Sequence, residues 1–302
     1  MSVKTVQAII NGVTTTLTFN DATGKYEATV TAPSTSSYNV NDGHYYPVTI
    51  KATDDAGNVT TKTDEDATLG EALRLRVKEK VAPVITITSP TASARLTNNK
   101  PQIAFTVTDA DSGVNPDTIK ITIGSKVITS GITKTESGKG FICTYTPTEA
   151  LADGSNTIKV DASDYDGNAA AQKSVTFIID TVPPTLSITA PVNNLVTNQA
   201  ACTVTGVTND ATSSPCKVTI KLNSGTAQDV TVNADGTFSK ALTLVAGVNT
   251  ITVVSTDSAG KSSTVTRTVT LDTGAPVIKS VTITPNPVDA GKTYIISVEV
   301  TD

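Results

Sequence analysis

The chain of 302 residues has no tryptophan, and it contains only one histidine, one methionine and three cysteines. A single histidine excludes a zinc site built on several imidazoles and leaves a serine–histidine–aspartate arrangement only one possible base. Phosphate-binding glycine loops, dinucleotide fingerprints, Cys-x-x-Cys pairs and His-Glu-x-x-His motifs are also missing. We therefore expect no catalytic site and no cofactor.

Basic clusters and long apolar runs are absent as well. The net charge of −5 and a pI of about 5.0 argue against a nucleic-acid partner, because a weakly acidic surface repels the phosphate backbone. No apolar run approaches the roughly 18 residues that cross a bilayer, so we expect no membrane partner. The first residues, MSVKTVQAIINGVTTT, lack the apolar core of a secretory signal. We expect either export that needs no signal, as for a virion component released by lysis, or a signal that has been removed.

Threonine and valine dominate the composition, whereas the usual helix formers leucine, glutamate and methionine are sparse. β-Branched side chains pack well on a pleated surface and lose little rotamer freedom there, which predicts an all-β fold. The three cysteines, Cys143, Cys202 and Cys216, cannot all pair within one chain. Cys202 and Cys216 could form a bridge, but we expect buried free thiols, because Cys143 shares a strand face with two aromatic residues.

The sequence is internally repetitive. Three segments begin alike, with one or two prolines before an apolar strand: VAPVITITSP at 81–90, VPPTLSITAP at 182–191 and GAPVIKSVTITP at 274–285. Three others share an alternating strand and an Asp/Gly turn: VTIKATDDAGN at 48–58, NTIKVDASDYDGN at 156–168 and NTITVVSTDSAGK at 249–261. The second set predicts β-hairpins in which Gly57, Gly167 and Gly260 take positive φ.

This pattern resembles the bacterial immunoglobulin-like (Ig-like) domains found in cell-surface adhesins and in phage tail, baseplate and capsid proteins. The resemblance covers nearly the whole chain and implies tandem two-sheet sandwiches with seven strands, lettered A to G. Turn spacing predicts complete modules over 81–180 and 181–272. The motifs are specific for the fold and carry little information about a biological role.

The two ends are predicted to be incomplete modules. Residues 20–26 match the turn at 233–238, so the segment before them corresponds to strand C, and the module over 1–80 lacks strands A and B. Residues 273–302 contain only an A-like and a B-like strand. A strand pair with an apolar face is not stable alone, and a sheet without its partner exposes core.

We therefore hypothesise that residues 274–302 of one chain complete the sandwich begun by residues 2–70 of another, giving a head-to-tail filament or ring. The predicted donor residues are Val281, Ile283, Tyr294, Ile295, Ile296, Val298 and Val300. The predicted acceptor residues are Val6, Ala8, Ile10, Leu17, Val48 and Ile50. Two alternatives are a fragment whose end modules are frayed, and pairing with a different protein that carries the same half-modules.

Closely spaced acids are the candidate metal ligands. Asp109 and Asp111, and likewise Asp164 and Asp166, could supply oxygens to Ca²⁺, although neither run continues as an EF-hand loop. Some adhesins with similar Ig-like repeats hold Ca²⁺ at module junctions, which the resemblance extends to Asp180 and Asp272. The interpretation that we favour is that these aspartates form turns at hairpin tips.

One aromatic cluster is a candidate surface contact. His44, Tyr45 and Tyr46 lie together on a polar loop, where they could contact carbohydrate on a host surface or another protein. The interpretation that we favour is an exposed loop without such a role. A carbohydrate-enzyme accessory module needs an aromatic platform, and aromatics are only 4% of the chain.

The sequence thus predicts a structural or adhesive component of an extracellular assembly. The setting that we expect is a phage virion, in a tail, baseplate or fibre. The alternative is a bacterial surface adhesin or filament subunit.

Overall fold

A computed structural model describes residues 2–302 and confirms the all-β prediction, with 53% of the chain in strands. The one helical element among these residues is a 3-10 turn, Gly70–Leu73. The chain divides into two compact units, the first ending at Ile179 and the second beginning at Asp180. In the described part, no helix has the length and apolar character needed to cross a membrane.

The first unit begins with one antiparallel sheet, here called the first sheet. Its strands are β1 (Val3–Ile10), β2 (Val13–Asn20), β3 (Lys25–Glu27), β4 (Tyr46–Asp54), β5 (Val59–Lys62) and β6 (Arg74–Leu75). The order is β3-β2-β1-β4-β5, and β6 pairs with β4. Val6, Ala8 and Ile10 of β1 and Val48, Ile50 and Ala52 of β4 lie on one face of this sheet, and mostly polar residues lie on the other.

The rest of the first unit is a complete sandwich, here called the first sandwich. Its strands are β7 (Val84–Ser89), β8 (Arg95–Leu96), β9 (Ile103–Thr108), β10 (Val114–Ile123), β11 (Lys126–Ile128), β12 (Thr133–Ser137), β13 (Gly140–Tyr145), β14 (Gly154–Asp164) and β15 (Lys173–Ile179). One sheet has the order β12-β13-β9-β7 and the other β11-β10-β14-β15-β8. Their inner faces enclose a core around Phe105 and Phe177.

The second unit begins with the second sandwich. Its strands are β16 (Thr185–Ala190), β17 (Leu195–Thr197), β18 (Ala201–Asn209), β19 (Lys217–Leu222), β20 (Gln228–Val230), β21 (Thr237–Thr243), β22 (Gly247–Thr256) and β23 (Ser262–Leu271). The sheets have the orders β16-β18-β21 and β17-β23-β22-β19-β20. A core that includes Phe238 and Ile251 lies between them.

The last element is an antiparallel pair, the β24–β25 hairpin, formed by β24 (Val277–Thr284) and β25 (Ile295–Thr301). Every residue of both strands is exposed. Within residues 2–302, the two clusters of buried apolar side chains belong to the two sandwiches, and strands β1–β6 contribute to neither. The described residues therefore form two sandwiches, a single sheet before the first and a strand pair after the second.

The predicted turn glycines are confirmed: Gly57, Gly167 and Gly260 have φ of 88°, 94° and 97°. In each hairpin the amide of the glycine donates to the carbonyl of the aspartate three positions earlier. The four sets of strands fall within the four predicted module ranges. The boundaries themselves stay a prediction.

Candidate functional site

Two clusters of three carboxylates lie at matching places in the two sandwiches. Glu79, Asp109 and Asp164 form the first cluster, in which one carboxylate oxygen from each residue lies within 4.8 Å of the others. Asp180, Asp210 and Asp257 form the second cluster by the same criterion. In each cluster the first acid precedes the first strand of its sandwich, β7 or β16, and the second acid directly follows β9 or β18. The third acid lies at the β14–β15 or the β22–β23 turn.

In the first cluster, each acid accepts at least one hydrogen bond from a backbone amide. Asp109 Oδ1 accepts the amides of Asp111 at 2.9 Å and Gly113 at 2.7 Å. Glu79 Oε1 accepts the amide of Ser112 at 2.6 Å. The other carboxylate oxygen of Asp109 is buried and has no hydrogen-bond partner.

The second cluster is more deeply buried. Asp180, Asp210 and Asp257 are 0%, 8% and 4% exposed. Asp210 Oδ1 accepts the amide of Thr212 at 2.8 Å, and Asp257 Oδ1 accepts that of Lys261 at 2.9 Å. The Oδ2 atoms of Asp180 and Asp257 are buried without a hydrogen-bond partner, and no ion pair described among residues 2–302 includes a member of the cluster.

These clusters have the chemistry of a site for a hard divalent cation. Ca²⁺ takes six to eight oxygen ligands at about 2.3–2.6 Å, so two oxygens bound to one ion are at most about 5 Å apart. The distances within both clusters satisfy that limit. Buried carboxylates without a counter-charge are costly, and a bound cation would remove that cost.

The predicted metal ligands are divided between the cluster and its surroundings. Asp109 and Asp164 belong to the first cluster, whereas Asp111 Oδ2 accepts the amide of Ser36 at 2.7 Å and Asp166 Oδ2 accepts that of Glu79 at 2.9 Å. The favoured turn interpretation accounts for Asp109 Oδ1 and for both oxygens of Asp164, which accept the amide and Nδ2 of Asn168. It leaves the buried, unpartnered Oδ2 of Asp109 unexplained.

Sequence reasoning missed Glu79, Asp210 and Asp257. The available signal was a constant spacing, since Glu79 precedes Asp109 by 30 positions and Asp180 precedes Asp210 by 30 positions.

Aromatic side chains join the first sheet to the first sandwich. The rings of Tyr38 and His44 stack at a centroid distance of 3.9 Å, and Tyr38 also stacks on Tyr165 at 4.1 Å. Burial raises the pKa of Tyr38, and Tyr165 adds to that rise. His44 therefore contributes to a contact within this unit.

The other two residues of the predicted surface cluster lie apart from this stack. Tyr45 donates its hydroxyl to Asp64 Oδ2 at 2.8 Å, and that hydrogen bond raises the pKa of Tyr45. Tyr46 corrects the prediction, because its side chain is only 4% exposed and cannot form a surface contact. Its hydroxyl lies 2.6 Å from Thr35 Oγ1.

The β24–β25 hairpin has one apolar face. The register places Val281 opposite Val298 and Ile283 opposite Ile296, and the whole face consists of Ile278, Val281, Ile283, Ile296, Val298 and Val300. Of the predicted donor residues, Ile295 lies on the other face and Tyr294 precedes β25, and the donor role of the set stays a prediction. Strand side chains alternate between faces, and this decides which residues act together.

The apolar face of β25 matches positions that are fully buried in the first sandwich. Counting back from Asp302 and Asp109, Val300 corresponds to Val107 and Val298 to Phe105. Val107 and Phe105 are 0% and 1% exposed, whereas Val300 and Val298 are 51% and 49% exposed. The hairpin therefore has the strand pattern of the first sandwich but no second sheet that covers its apolar face.

The first sheet shows the converse. The register places the six predicted acceptor residues on one face, with Val6 opposite Leu17, Ala8 opposite Ile50 and Ile10 opposite Val48. Val6 and Ala8 are buried, and the other four are partly exposed. Residues Ile158 and Val160 of β14, which correspond to Val48 and Ile50, are 0% exposed.

All three cysteines are unpaired. Cys143 and Cys216 are buried, and Cys202 is partly buried. Burial raises the pKa of the Cys143 thiol to about 11.

Comparison with known families assigns the two sandwiches separately. Residues 82–181 match the family described as bacterial Ig-like domain, and residues 184–273 match glucodextranase, domain B. The comparison with curated proteins found no match.

Among solved structures, this chain is similar to fibronectin(III)-like modules of Clostridium thermocellum CbhA, at 18% identity and a TM-score of 0.37, covering 63% of this chain and 94% of that one. It is also similar to the titin I-band fragment I67–I69, at 11% identity and a TM-score of 0.45, covering 89% and 88%. With its repeated sheets and its bacterial Ig-like match over residues 82–181, the chain is an Ig-like domain repeat protein.

Proposed function

We propose that this chain is a non-enzymatic structural or adhesive component of an extracellular assembly, in which the β24–β25 hairpin of one copy completes the first sheet of another. The observation that carries the proposal is the half-exposed state of Val298 and Val300 at positions that are buried in the first sandwich. An apolar strand pair and an apolar sheet face would each gain from being covered.

The two faces have matching composition. The hairpin presents six Val and Ile side chains, and the first sheet presents aliphatic side chains on β1, β2 and β4. Burying the remaining exposed part of one such side chain stabilises by roughly 1 kcal/mol. Six of them would provide several kcal/mol against the entropy cost of association.

The sandwiches also predict how the strands would pair. In the second sandwich, Gly206 of β18 lies opposite Phe238 of β21, and Val207 lies opposite Thr237. When Asp210 is aligned with Asp302, Gly206 corresponds to Val298 and Val207 to Glu299. The turns before β21 and β3 also match, so Phe238 corresponds to Tyr26 and Thr237 to Lys25.

The joint would thus place Glu299 of one copy directly opposite Lys25 of the next. Opposite charges in this cross-strand position stabilise a sheet by about 0.2–1 kcal/mol, and like charges destabilise it. This charge match favours a second copy as the occupant. The contact is heterologous and repeats, so it would build a filament or a ring.

The predicted setting, a phage virion with the bacterial cell surface as the alternative, stays a prediction, as does a carbohydrate partner on a host surface. Ig-like domains are a fold without a fixed activity, so the proposal depends on the exposed faces and not on the fold.

The test is the mass of the chain in solution over a range of concentrations, measured by analytical ultracentrifugation. We expect the full chain to associate, and a variant without residues 277–302 to stay monomeric. Val298→Lys would abolish association, because a lysine there would be buried in the joint without a partner.

The matched control is Ser297→Lys, on the polar face of the same strand. It leaves the apolar face intact and lies opposite Glu27 in the proposed register, so it would associate like the unchanged chain. Equal masses for the full chain and the chain without 277–302 would overturn the proposal. If the chain associates with a different protein and not with itself, the partner at the joint is that protein, and the proposal of a second copy is wrong.

A second property, divalent-cation binding, is favoured by the unpartnered oxygens of Asp180 and Asp257. We propose that the two carboxylate clusters bind Ca²⁺. The test compares melting temperatures in calcium and in EGTA. A higher melting temperature in calcium supports the proposal, and identical values would overturn it.

A further inference from the structure

The segment that directly follows β3, residues 28–31, belongs to no strand. β3 pairs with β2 only over Lys25–Glu27, and within residues 2–302 no described backbone hydrogen bond involves residues 28–31. All four side chains are exposed. Free amides and carbonyls beside an edge strand are a place where the strand of another chain can add.

The second sandwich contains the equivalent segment in a closed module. Because Tyr26 corresponds to Phe238, residues 28–31 correspond to residues 240–243 of β21. β21 is a strand over the whole of Thr237–Thr243 and pairs along its full length with β18. The first sheet has the counterpart of β21 but no counterpart of β18, and by the alignment of Asp302 with Asp210 that counterpart is β25.

β25 also ends early at the matching place. Tyr294 lies eight positions before Asp302, as Cys202 lies eight positions before Asp210. Cys202 is part of β18 and pairs with Leu242, whereas β25 starts one residue after Tyr294. Two segments that pair with each other in the second sandwich are therefore both outside strands where their partner is missing.

We propose that residues 28–31 of one copy become part of β3 when β25 of a second copy docks, and that this new ladder, as long as the one along β21, closes the joint. The inference rests on the end-to-end assembly proposed above. The β18–β21 register places Ile296 opposite Ala28 and Tyr294 opposite Val30. Recognition of the second copy thus depends on backbone groups that are free in the dilute chain, and not only on the two apolar faces.

The alternation of an antiparallel ladder decides which amides take part. The amide of Thr208 donates to the carbonyl of Gly236 at 2.9 Å, and that of Leu244 donates to the carbonyl of Ala200 at 2.8 Å. These pairs flank the β18–β21 register, and hydrogen-bonded pairs recur at every second residue, so the even-numbered residues of β21 direct their amides at β18. The corresponding amides, which would point at β25, are those of Tyr26, Ala28 and Val30.

The exposed side chains fit the same register. Val30 is 44% exposed, whereas its counterpart Leu242 packs against the core of the second sandwich. Ile296 is 56% exposed, whereas its counterpart Val204 is 0% exposed. The new ladder would bring both apolar side chains into the closed joint.

Amide hydrogen exchange, resolved to single residues, measures the new ladder directly. In the dilute, monomeric chain all four amides of residues 28–31 would exchange fast. In the assembled chain the amides of Ala28 and Val30 would become protected, whereas those of Thr29 and Thr31 would stay fast, because β21 has no strand on its other side. Equal protection of all four amides would show that the segment is covered without forming a ladder, and would overturn the inference.

A pair of proline variants tests whether the ladder contributes to association. Ala28→Pro would lower the association constant about 10-fold, because it removes one donor and leaves a carbonyl of the second copy without a partner. Thr29→Pro is the matched control, since its amide points away from the joint, and it would associate like the unchanged chain. Neither variant would change the melting temperature of the dilute chain, where residues 28–31 pair with no strand.

The outcomes separate this inference from the assembly on which it rests. A chain that stays monomeric at every concentration would overturn the assembly itself. Assembled chains in which the amides of Ala28 and Val30 exchange as fast as in the dilute chain would overturn the inference and leave the assembly standing. Equal association constants for the two proline variants would do the same.

Discussion

Strands β9 and β25 have the same alternating apolar pattern, yet one is a core strand and the other is exposed on both faces. Phe105 and Val107 of β9 are 1% and 0% exposed, whereas Val298 and Val300 of β25 are 49% and 51% exposed. Both strands pair with an antiparallel neighbour, β7 and β24 respectively. The difference is the second sheet, which covers β9 and is missing above β25.

The comparison teaches that strand formation and burial have separate causes. Threonine, valine and isoleucine in alternation are sufficient to specify the strand and its apolar face. Burial of that face requires a facing sheet, and among residues 2–302 the first sheet also has an incompletely covered apolar face. The experiments below test this contrast.

The largest effect is expected from truncating equivalent side chains. Phe105→Ala would lower the free energy of unfolding of the first unit by about 3–5 kcal/mol, because it leaves a cavity in a closed core. Val298→Ala would change the stability of the dilute, monomeric chain by less than about 0.5 kcal/mol. Denaturant unfolding of both variants checks the contrast, and comparable losses would mean that the hairpin has a covering layer of its own.

The next largest effect is expected at the carboxylates. Calcium at about 100 times its Kd would stabilise the second sandwich by about 2.7 kcal/mol, and Asp180→Asn would remove most of this gain. In EGTA the same substitution would be neutral or stabilising, because it removes one of three neighbouring buried charges. In the dilute chain Asp302→Asn, a substitution outside both clusters, would have no effect on melting in either buffer. A loss of the calcium response there would contradict binding at the second cluster.

A smaller effect is expected where the first sheet meets the first sandwich. Tyr38→Ala would cost roughly 1 kcal/mol, because it removes the ring that stacks on both His44 and Tyr165. Tyr38→Phe keeps the ring and serves as the control. Hydrogen exchange in β4 measures the change, and equal effects of Ala and Phe would show that stacking is not the cause.

The smallest effect is kinetic and concerns thiol reactivity. Cys143 is fully buried and the pKa of its thiol is raised to about 11, so little thiolate exists at neutral pH. An exposed thiol introduced by Val298→Cys would react with iodoacetamide far faster in the dilute chain and more slowly in the assembled one. Peptide mass spectrometry reads both sites, and comparable rates would contradict the difference in burial.

Much of the fold could be predicted from the sequence because its signals are local. The period-two alternation specifies strands, and Gly57, Gly167 and Gly260 mark three equivalent hairpins, since only a residue tolerant of positive φ suits those turns. The proline-bearing starts reveal the repeat. The same signals identify β24 and β25 as a pair.

The candidate site was harder to predict because it joins residues that are distant in sequence. Glu79 and Asp164 meet only after two sheets have stacked, and a turn explains each aspartate on its own. The stack of Tyr38 on Tyr165 is likewise tertiary. Tyr46 shows the same limit, since its burial depends on packing that the polar loop around it does not indicate.

The most direct test of the central claim is a charge exchange across the proposed joint. Lys25→Glu alone and Glu299→Lys alone would each weaken self-association several-fold, because like charges would then lie opposite each other. The double variant would restore the association constant of the unchanged chain. Single variants that leave the association constant unchanged would contradict the pairing of β25 with β3 of a second copy. So would a double variant whose association constant falls by the product of the two single-variant factors.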